Sequence, residues 1–330
     1  MSKQRLLIIG LGSIGERHLR TALRTERADV MVCEINHELL QNVAQRYQVR
    51  DSCDAFETAL AAGPTAAVIC VPAHLHVTMA HRLAQAGVHI LIEKPLSTSL
   101  EGIDALAQTV ERRQVVAAVA YVLRANPILA AARDAIQSGR FGQPLQLICV
   151  SGQNFPYYRP AYRDTYYRDR ATGGGAIQDA LTHLLNAGEW LIGPIDRVLA
   201  DAAHQLLPGV EVEDTVHVIA RHQGIPASYV LNQHQAPNEL TITVVCQRGT
   251  VRYESHESRW RWMTDPAGQW HNESVQAIER DDLFVAQLQV FLDAIERDGR
   301  PLCTLAEGAQ TLRANLAVLK SLDAARWTAT

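Results

Sequence analysis

Short apolar runs alternate with amphipathic, helix-like stretches over the first 120 residues of this 330-residue chain. Runs that are apolar throughout are typical of strands buried on both faces of a parallel sheet. Strands that alternate with helices predict right-handed crossovers, and therefore a doubly wound α/β sheet. The predicted strands are 6–9, 30–33, 67–71, 88–92 and 115–120, and the predicted helices lie near 13–26, 37–47, 54–61, 75–86 and 99–112.

The rhythm changes beyond residue 122. Residues 214–222 partly alternate between apolar and polar side chains, as expected for a sheet with one covered face. We expect a nucleotide-binding α/β domain over residues 1–122, and an α+β domain with a mainly antiparallel sheet over residues 123–330. The predicted strands of the second domain are 145–151, 196–205, 214–222, 226–234, 239–247 and 249–254, and its helices lie near 127–138, 174–191, 281–297 and 304–325.

Composition and charge exclude several classes of protein. The chain is 47% hydrophobic and 20% charged, with a formal net charge of −4. It has no basic field for phosphates, so we expect no nucleic-acid partner. No apolar run approaches the roughly 18 residues that span a bilayer, and the first apolar run is too short for a signal peptide. We expect no membrane partner and a soluble, cytoplasmic protein.

The six cysteines are scattered along the chain, and none belongs to a C-x-x-C pair. Such spacing favours reduced thiols in the core over a metal site. His74 and His76 are two residues apart and have no accompanying carboxylate, so they do not form a helical ligand pair either. We therefore expect no bound metal.

The sequence from Gly10 to Gly15 fits the pattern G-x-G-x-x-G, with a predicted strand before it and a predicted helix after it. The first glycine permits a tight turn, the second lets the backbone approach a pyrophosphate, and the third lets the helix pack closely on the strand. The helix N-terminus then attracts the phosphates. The alternative is a plain glycine turn. The predicted cofactor contacts are Gly10, Gly12, Ser13, Ile14 and Gly15.

Glu34 ends the next predicted strand, nineteen positions after Gly15. A carboxylate at this position accepts hydrogen bonds from a ribose diol and repels a 2′-phosphate. The three residues that follow include no arginine that could bind such a phosphate. NAD is therefore favoured over NADP, although a solvated glutamate at a strand end remains the alternative.

Lys94 lies in the sequence Glu93-Lys94-Pro95, directly after the predicted strand 88–92. Ligands of open α/β sheets bind outside the carboxyl ends of the strands. A lysine there can donate a hydrogen bond to an oxygen that gains negative charge. Taken alone, a lysine at a strand end is more often a surface charge.

Asp179 and His183 are four residues apart in a helical pattern that follows a run of three glycines. Helical residues at this spacing share one face, so the two side chains can converge on one point. His183 has the right intrinsic pKa to take a proton near neutral pH. The alternative is a helix histidine stabilised by a neighbouring carboxylate.

Four segments together resemble the glucose–fructose oxidoreductase, inositol dehydrogenase and rhizopine-catabolism family. They are GLGSIGERH at 10–18, CVPAHLH at 70–76, EKPLS at 93–97 and GGGAIQDALTH at 173–183. The resemblance implies a Rossmann-type domain, followed by a domain with a large open antiparallel sheet. It also implies an NAD(P)-dependent dehydrogenase of sugars, cyclitols or sugar nucleotides. A homodimer or homotetramer is implied too, often formed through the exposed face of that sheet.

The resemblance assigns roles to single residues. His183 would remove the proton of a substrate hydroxyl, Lys94 would hydrogen-bond the same oxygen, and Asp179 would orient the imidazole or bind a hydroxyl. Which of Lys94 and His183 is the proximal base stays open. Further predicted contacts with the cofactor are Pro72, His74, Glu93 and Lys94. Tyr121 and Arg124 are predicted to contact the substrate, with interdomain packing as the alternative for these two.

Residues 153–170 hold five of the nine tyrosines, interleaved with four arginines. Aromatic faces and guanidinium groups can hold a sugar ring with a charged substituent. We take Tyr157 and Arg163 as substrate candidates, and the arginines suggest an anionic sugar. The alternative is an arm that packs on its own domain or on a neighbouring subunit.

The expected function is hydride transfer between a secondary hydroxyl of a sugar, cyclitol or sugar derivative and NAD. Two alternatives keep the fold. In one, tightly bound NAD is recycled within each turnover, as in sugar–sugar oxidoreduction or redox-assisted glycoside elimination. In the other, the protein is a non-enzymatic nucleotide-binding regulator.

Overall fold

The computed structural model describes residues 3–276, 278–297 and 299–330, and the chain divides into two compact units. The first unit comprises Met1–Ala125 and Ile278–Ala309, and the second comprises Asn126–Ala277 and Gln310–Thr330. The sequence predicts one division after residue 122, with everything beyond it in the second domain. The structure instead groups a later segment of the chain with the first unit.

The first unit is built on a parallel sheet. In chain order its elements up to residue 125 are β1 (Gln4–Ile9), α1 (Ser13–Thr25), β2 (Ala28–Cys33), α2 (His37–Tyr47), β3 (Asp51–Cys53), α3 (Phe56–Ala61), β4 (Ala66–Ile69), α4 (His76–Gln85), β5 (His89–Ile92), α5 (Ile103–Arg113) and β6 (Ala117–Val119). The described strands lie in the order β3-β2-β1-β4-β5-β6 and pair in parallel. This order confirms the doubly wound fold, with its switch point between β1 and β4.

The second unit is built on a mainly antiparallel sheet. The remaining elements of the chain are α6 (Pro127–Gln137), β7 (Pro144–Asn154), α7 (Phe155–Tyr158), α8 (Thr182–Ile192), β8 (Ile195–Ala203), β9 (Thr215–His222), β10 (Ile225–Asn232), β11 (His234–Cys246), β12 (Gly249–Glu254), β13 (Arg259–Met263), β14 (His271–Glu273), α9 (Arg280–Glu296), α10 (Leu305–Ala324) and β15 (Thr328–Ala329). The described strands follow the order β14-β13-β12-β11-β7-β10-β9-β8-β15. Only β7 and β10 pair in parallel among them, which confirms the predicted α+β domain.

Helix α9 belongs to the first unit because its contacts are there. Phe291 and Leu292 join the buried core that covers one face of the parallel sheet. At the edge of the contact between α1 and α9, Arg20 Nε lies 2.6 Å from Asp281 Oδ2. The helix is therefore held to α1 by apolar burial and by ion pairs. In the described part of the chain, no helix has the length and apolar character needed to cross a membrane.

Candidate active site

The registers of the parallel strands bring four strand ends into one row. Ile9 at the end of β1 pairs with Cys33 of β2 and with Ile69 of β4, and Ile69 pairs with Ile92 of β5. The chain therefore leaves the sheet at the same edge after each of these strands. The residues that come next are Gly10, Glu34, Cys70 and Glu93.

In the loop after β1, two glycines touch protein and one faces open space. Gly10 has a φ of +85°, and a Cβ on Gly15 would overlap the Gly10 carbonyl oxygen. A Cβ on Gly12 would meet no atom of the described residues within 4 Å beyond its chain neighbours. Ser13 and Ile14 form the first turn of α1, and no described side chain caps that helix start. This cradle fits a dinucleotide pyrophosphate lying over Gly12, against the N–H groups of the first turn.

Glu34 is fixed beside that loop by backbone hydrogen bonds. Its Oε2 accepts from the Leu11 N–H at 2.7 Å, and its Oε1 accepts from the Asn36 N–H at 2.9 Å. The half-buried carboxylate thus joins the loops that follow β1 and β2. Its chemistry and position suit recognition of a ribose diol.

A buried hydrogen bond between His18 and Glu93 fixes the turn that carries Lys94. Glu93 is 5% exposed, and its Oε1 accepts from Nε2 of His18, which is 1% exposed, at 2.8 Å. Its Oε2 accepts from the Lys94 N–H at 3.0 Å. Burial opposes ionisation, but the hydrogen bond and charge of His18, together with Lys94, lower the pKa of Glu93. The Lys94–Pro95 peptide is cis.

Sequence reasoning missed the role of His18. The residue lies in the first quoted segment, and its spacing of three from Gly15 places it one turn into α1 on the side facing Glu93. The sequence did hold a signal for this contact. His18 lies three residues after Gly15, and Glu93 follows a predicted strand. Both side chains are buried, so each needs a hydrogen-bond partner, and each provides that partner for the other.

His76 connects two of the loops at the same edge. The imidazole is 1% exposed, with Nδ1 3.0 Å from the Pro95 carbonyl oxygen and Nε2 2.8 Å from the Val71 carbonyl oxygen. Burial lowers the pKa of this histidine. Pro72 and His74 lie exposed on the loop that His76 holds. Their predicted contact with the cofactor stays a prediction.

Tyr121 and Arg124 follow β6 and are both buried, at 1% and 3% exposure. One guanidinium nitrogen of Arg124 donates to the Leu302 carbonyl oxygen at 2.9 Å and to Glu307 Oε1 at 2.8 Å. The Arg124 contacts thus tie the end of β6 to the segment before α10 and to the first turn of that helix, within the first unit. For both residues, the substrate contact stays a prediction.

In the second unit, the predicted helix over 174–191 begins differently from what the sequence suggests. Residues Ile177–Leu181 form a π-helical turn, and the α-helix α8 starts only at Thr182. The turn that carries Asp179 therefore lacks the regular i,i+4 geometry that we assumed for Asp179 and His183. One residue more than in an α-helical turn is accommodated there, as is frequent at functional sites. His183 lies half-buried in the first turn of α8.

The π turn is held at its first residue, Ile177, by two buried side chains. Glu213 is 2% exposed, and its Oε1 accepts from the Ile177 N–H at 3.0 Å, while its Oε2 accepts from Arg170 Nε at 2.8 Å. Asn315 Nδ2 donates to the Ile177 carbonyl oxygen at 2.8 Å. These contacts fix the backbone on which Asp179 lies. Asp179 Oδ1 in turn accepts from the hydroxyl of Tyr166 at 2.7 Å.

Tyr157 and Arg163 lie on the surface of the second unit. Tyr157 is 79% exposed, with its ring in an edge-to-face contact with Tyr158 at 5.1 Å. Arg163 Nε donates to the Pro208 carbonyl oxygen at 2.8 Å, and its guanidinium lies over the Tyr162 ring. Arg163 thus pins its own segment to a neighbouring loop, as the packing alternative expects. Substrate contact stays a prediction for both residues.

Two family models match this chain. The model described as "Oxidoreductase family, NAD-binding Rossmann fold" matches residues 4–121, and the GFO/IDH/MocA C-terminal domain matches residues 129–252. The chain belongs to the GFO/IDH/MocA family. The family resemblance expected from the sequence is therefore confirmed, and with it a domain of the NAD-binding Rossmann type over residues 4–121.

Relatives of this GFO/IDH/MocA protein include named dehydrogenases. It is 28% identical to a levoglucosan dehydrogenase of Pseudarthrobacter phenanthrenivorans over 52% of this chain and 44% of that protein. It is 25% identical to a UDP-N-acetylglucosamine 3-dehydrogenase of Acidithiobacillus ferrooxidans over 98% of this chain and 99% of that protein. The chain thus spans less than half of the first relative and nearly all of the second.

Solved structures share the fold of this GFO/IDH/MocA chain. A levoglucosan dehydrogenase in complex with NADH superposes with a TM-score of 0.89 at 22% identity, covering 99% of each chain. At this identity, the likeness shows the fold alone. Lys94 and His183 lie in different units, and their convergence on one substrate stays a prediction. Within the described residues, no group of three or more His, Cys, Asp or Glu side chains could hold a metal ion.

Proposed function

We propose that this protein is an NAD-dependent dehydrogenase that oxidises a secondary hydroxyl of a sugar, cyclitol or sugar derivative. The observation that carries the proposal is the glycine cradle. Gly15 must be glycine for packing, whereas the space at Gly12 is open to a ligand. Open space at the Cβ position is also found at turn glycines such as Gly87 and Gly224. Gly12 differs from them because it lies at the uncapped start of a helix that follows a buried strand, where backbone N–H groups can bind a phosphate. The names of the two relatives reported above supply the class of substrate.

Glu34 supports the choice of NAD over NADP. The carboxylate is held by two backbone N–H groups at the edge of the cradle, and the residues after it are Ile35, Asn36 and His37. A negative charge there repels a 2′-phosphate and accepts from a ribose diol. Bound NAD⁺ would supply the acceptor for the substrate's hydride.

The side chains of the protein would handle the proton and the charge. His183 takes the proton of the substrate hydroxyl, because a neutral imidazole is a suitable base near neutral pH. Lys94 donates a hydrogen bond to the same oxygen and stabilises the charge that develops on it. Asp179 binds a neighbouring hydroxyl or orients His183. The buried pair of Glu93 and His18 holds the turn from which Lys94 projects.

NADH formation from a panel of substrates tests the reaction. The panel contains myo-inositol, levoglucosan, UDP-N-acetylglucosamine, glucose and glucuronate. Net NADH formation with at least one member is expected, and a preference for glucuronate over glucose would support an anionic substrate. If NAD survives purification but no member gives net NADH, the recycling alternative is favoured instead.

Single-turnover reduction of NAD⁺ tests the assigned residues. We expect Lys94→Ala and His183→Ala each to slow hydride transfer by at least about 100-fold, the range of general acid–base catalysis. The matched control is His256→Ala, which removes an exposed histidine from the turn before β13. Near-normal rates in both variants would remove the assignment.

The cofactor preference has its own test. Replacing Glu34 by Gln keeps the shape of the side chain and removes its charge. We expect the ratio of NAD to NADP affinity to fall by about tenfold or more, one charge-assisted hydrogen bond being worth that much. The control is Glu38→Gln, which changes an exposed glutamate in the first turn of α2. An unchanged ratio in Glu34→Gln would argue against this selector.

We further propose that the protein forms a homodimer or homotetramer through the open face of the nine-stranded sheet. Ile148, Ser228, Ile219 and Leu199 align across four adjacent strands, and a cavity of about 450 Å³ lies along β8, β9 and β10. Ile219 is 50% exposed, which is unusual for a strand residue of this size. Ile219→Lys should shift the mass measured by light scattering toward the monomer. An unchanged mass would exclude this face.

A cytoplasmic location completes the proposal. All six cysteines are free thiols in the structure. Disulfides form in oxidising compartments, so free thiols are typical of a reducing one. Recovery of the native protein from the cytoplasmic fraction of its own cells is expected, and recovery from a secreted fraction would contradict this.

A further inference from the structure

Tyr166 makes a direct hydrogen bond to Asp179. Its hydroxyl donates to Asp179 Oδ1 at 2.7 Å, and its side chain is 41% exposed. The sequence singles out Tyr166 only as one of five clustered tyrosines, and it assigns this residue no role. A hydrogen bond from a phenol to a carboxylate is stronger than one between neutral groups.

The backbone that carries Tyr166 is held in place by the glycine run. A Cβ on Gly174 would lie 2.6 Å from the Tyr166 carbonyl oxygen and would overlap that of Tyr167. The Gly174 N–H also donates to the Asp169 carbonyl oxygen at 2.8 Å. The hydroxyl of Thr172 donates to the Tyr166 carbonyl oxygen at 2.9 Å. Glycine at position 174 therefore permits a contact that any other residue would block.

The neighbouring tyrosine anchors the same short turn in the core of the second unit. Tyr167 is 2% exposed, and its hydroxyl donates to Gln233 Oε1. Its ring packs on Phe155 with centroids 4.5 Å apart. Because Tyr167 is buried and hydrogen-bonded, it holds the turn from which the exposed phenol of Tyr166 reaches Asp179.

Asp179 itself lies on a fixed backbone. The π turn around it is held by Glu213 at the Ile177 N–H and by Asn315 at the Ile177 carbonyl oxygen. Both partners of the Tyr166–Asp179 hydrogen bond are thus attached to restrained chain segments. When donor and acceptor are already restrained, the functional group is held in position and little conformational entropy is lost during the reaction.

We infer that Tyr166 is a positioning residue of the active site, which sets the orientation of the Asp179 carboxylate before substrate binds. This inference rests on the proposed function of Asp179 in substrate or His183 orientation. It predicts a specific coupling between the two side chains. Tyr166 would matter for turnover only while position 179 carries a carboxylate.

Tyr166→Phe tests the inference, because it removes one hydroxyl and leaves the ring. With the panel member that gives the highest kcat/KM, we expect kcat/KM for the sugar to fall about tenfold, as for loss of one charge-assisted hydrogen bond. KM for NAD⁺ should stay within twofold. The matched control is Tyr47→Phe, which removes a 2.8 Å hydrogen bond from a tyrosine to Glu16 in the first unit.

A double-mutant cycle with Asp179→Asn separates a positioning role from a general structural one. We expect Tyr166→Phe to change kcat/KM less than twofold in the Asp179→Asn background. The same tenfold loss in both backgrounds would show that Tyr166 acts independently of Asp179. No loss in the wild-type background would also overturn the inference.

A crystal structure of Tyr166→Phe supplies a readout that needs no substrate. We expect Asp179 in one rotamer in the wild type and in Tyr47→Phe, and in more than one rotamer in Tyr166→Phe. An unchanged single rotamer in Tyr166→Phe would overturn the inference. If the wild type turns over no sugar, the proposed function fails, while the rotamer comparison still decides whether Tyr166 positions Asp179.

Discussion

Two glycine-rich segments lead into helices in this protein, and they use glycine for different reasons. In the loop from Gly10 to Gly15, the first and last glycines are needed for backbone packing, while the space at Gly12 is open. In the run from Gly173 to Gly175, protein atoms fill the space at the second and third positions. A Cβ on Gly175 would lie 2.5 Å from Glu213 Oε1, and one on Gly174 would overlap Tyr167.

The loop from Gly10 to Gly15 is therefore suited to be a ligand cradle, and the run from Gly173 to Gly175 is a structural scaffold. Open space beside an uncapped helix start suits an incoming phosphate. Filled space beside a buried carboxylate instead fixes a backbone turn, here the π turn that carries Asp179. Glycine content alone does not tell these two uses apart. The atoms around the missing Cβ position, taken together with the state of the adjacent helix start, tell them apart.

Gly15→Ala should have the largest effect. The new Cβ would overlap the Gly10 carbonyl oxygen, so α1 must move away from β1. We expect a loss of about 4 kcal/mol in the free energy of unfolding, the upper range for a single substitution. Urea unfolding followed by circular dichroism measures it. A loss below about 1 kcal/mol would mean that the helix does not pack as described.

Gly174→Ala should be nearly as damaging to stability, but with a different functional result. The Cβ would displace the turn at Tyr166 and Tyr167, at a cost of about 3 kcal/mol in the free energy of unfolding. We expect sugar turnover to be lost, while calorimetric NAD⁺ affinity stays within about twofold of wild type. A large loss of NAD⁺ affinity would contradict the claim that this glycine run is a scaffold and takes no part in binding the cofactor.

The third prediction concerns the two buried carboxylates, Glu93 near the cradle and Glu213 near the scaffold, and the free energy of unfolding lost when each is replaced by Gln. Glu93→Gln removes the charge that His18 and the Lys94 N–H stabilise, and we expect a loss of about 2 kcal/mol at neutral pH. Because folding lowers the pKa of Glu93, its contribution is full above the unfolded pKa of about 4.3 and is lost as the pH falls through the lower folded pKa.

The pH series supplies the check on that prediction. The stability difference between wild type and Glu93→Gln should shrink as the pH falls below about 4. Glu213→Gln serves as the comparison at neutral pH, since it removes the buried carboxylate beside the glycine run from 173 to 175. A difference for Glu93→Gln that grows toward acid would contradict the charged state assigned to Glu93.

Much of the first unit could be predicted because its strands are uniformly apolar. The runs that became β1, β2, β4, β5 and β6 were all expected. Strand β3 was not, because Asp51–Cys53 is short and polar and is recognised only through its pairing with β2. The glycine cradle was predicted because each of its positions has a distinct chemical requirement.

In the second unit, the structure around Asp179 was harder to predict. Nothing in the residues Ile177–Leu181 distinguishes a π turn from an α turn, because the turn depends on Glu213 and Asn315, which are distant in sequence. The Tyr166–Asp179 hydrogen bond was missed for the same reason. Strand β13 had a readable signal, since Arg259–Met263 alternates between arginine and apolar side chains.

The placement of α9 in the first unit also had a signal in the sequence. Arginines recur at positions 17, 20 and 24 along one side of α1, and a further arginine follows at position 27, just beyond the end of the helix. Acidic residues of α9 pair with that stripe. Complementary stripes show that two helices can pair, but not that they do, so the contiguous division at residue 122 was the simpler expectation.

Calorimetric titration of NAD⁺ into wild type and Gly12→Ala tests the central claim most directly. The added methyl group would enter the open space of the cradle without touching the described protein atoms. We expect unfolding free energy to change by less than about 1 kcal/mol, while NAD⁺ affinity falls at least about tenfold. Equal NAD⁺ affinity in the two proteins, at equal stability, would contradict the claim that the dinucleotide lies over Gly12.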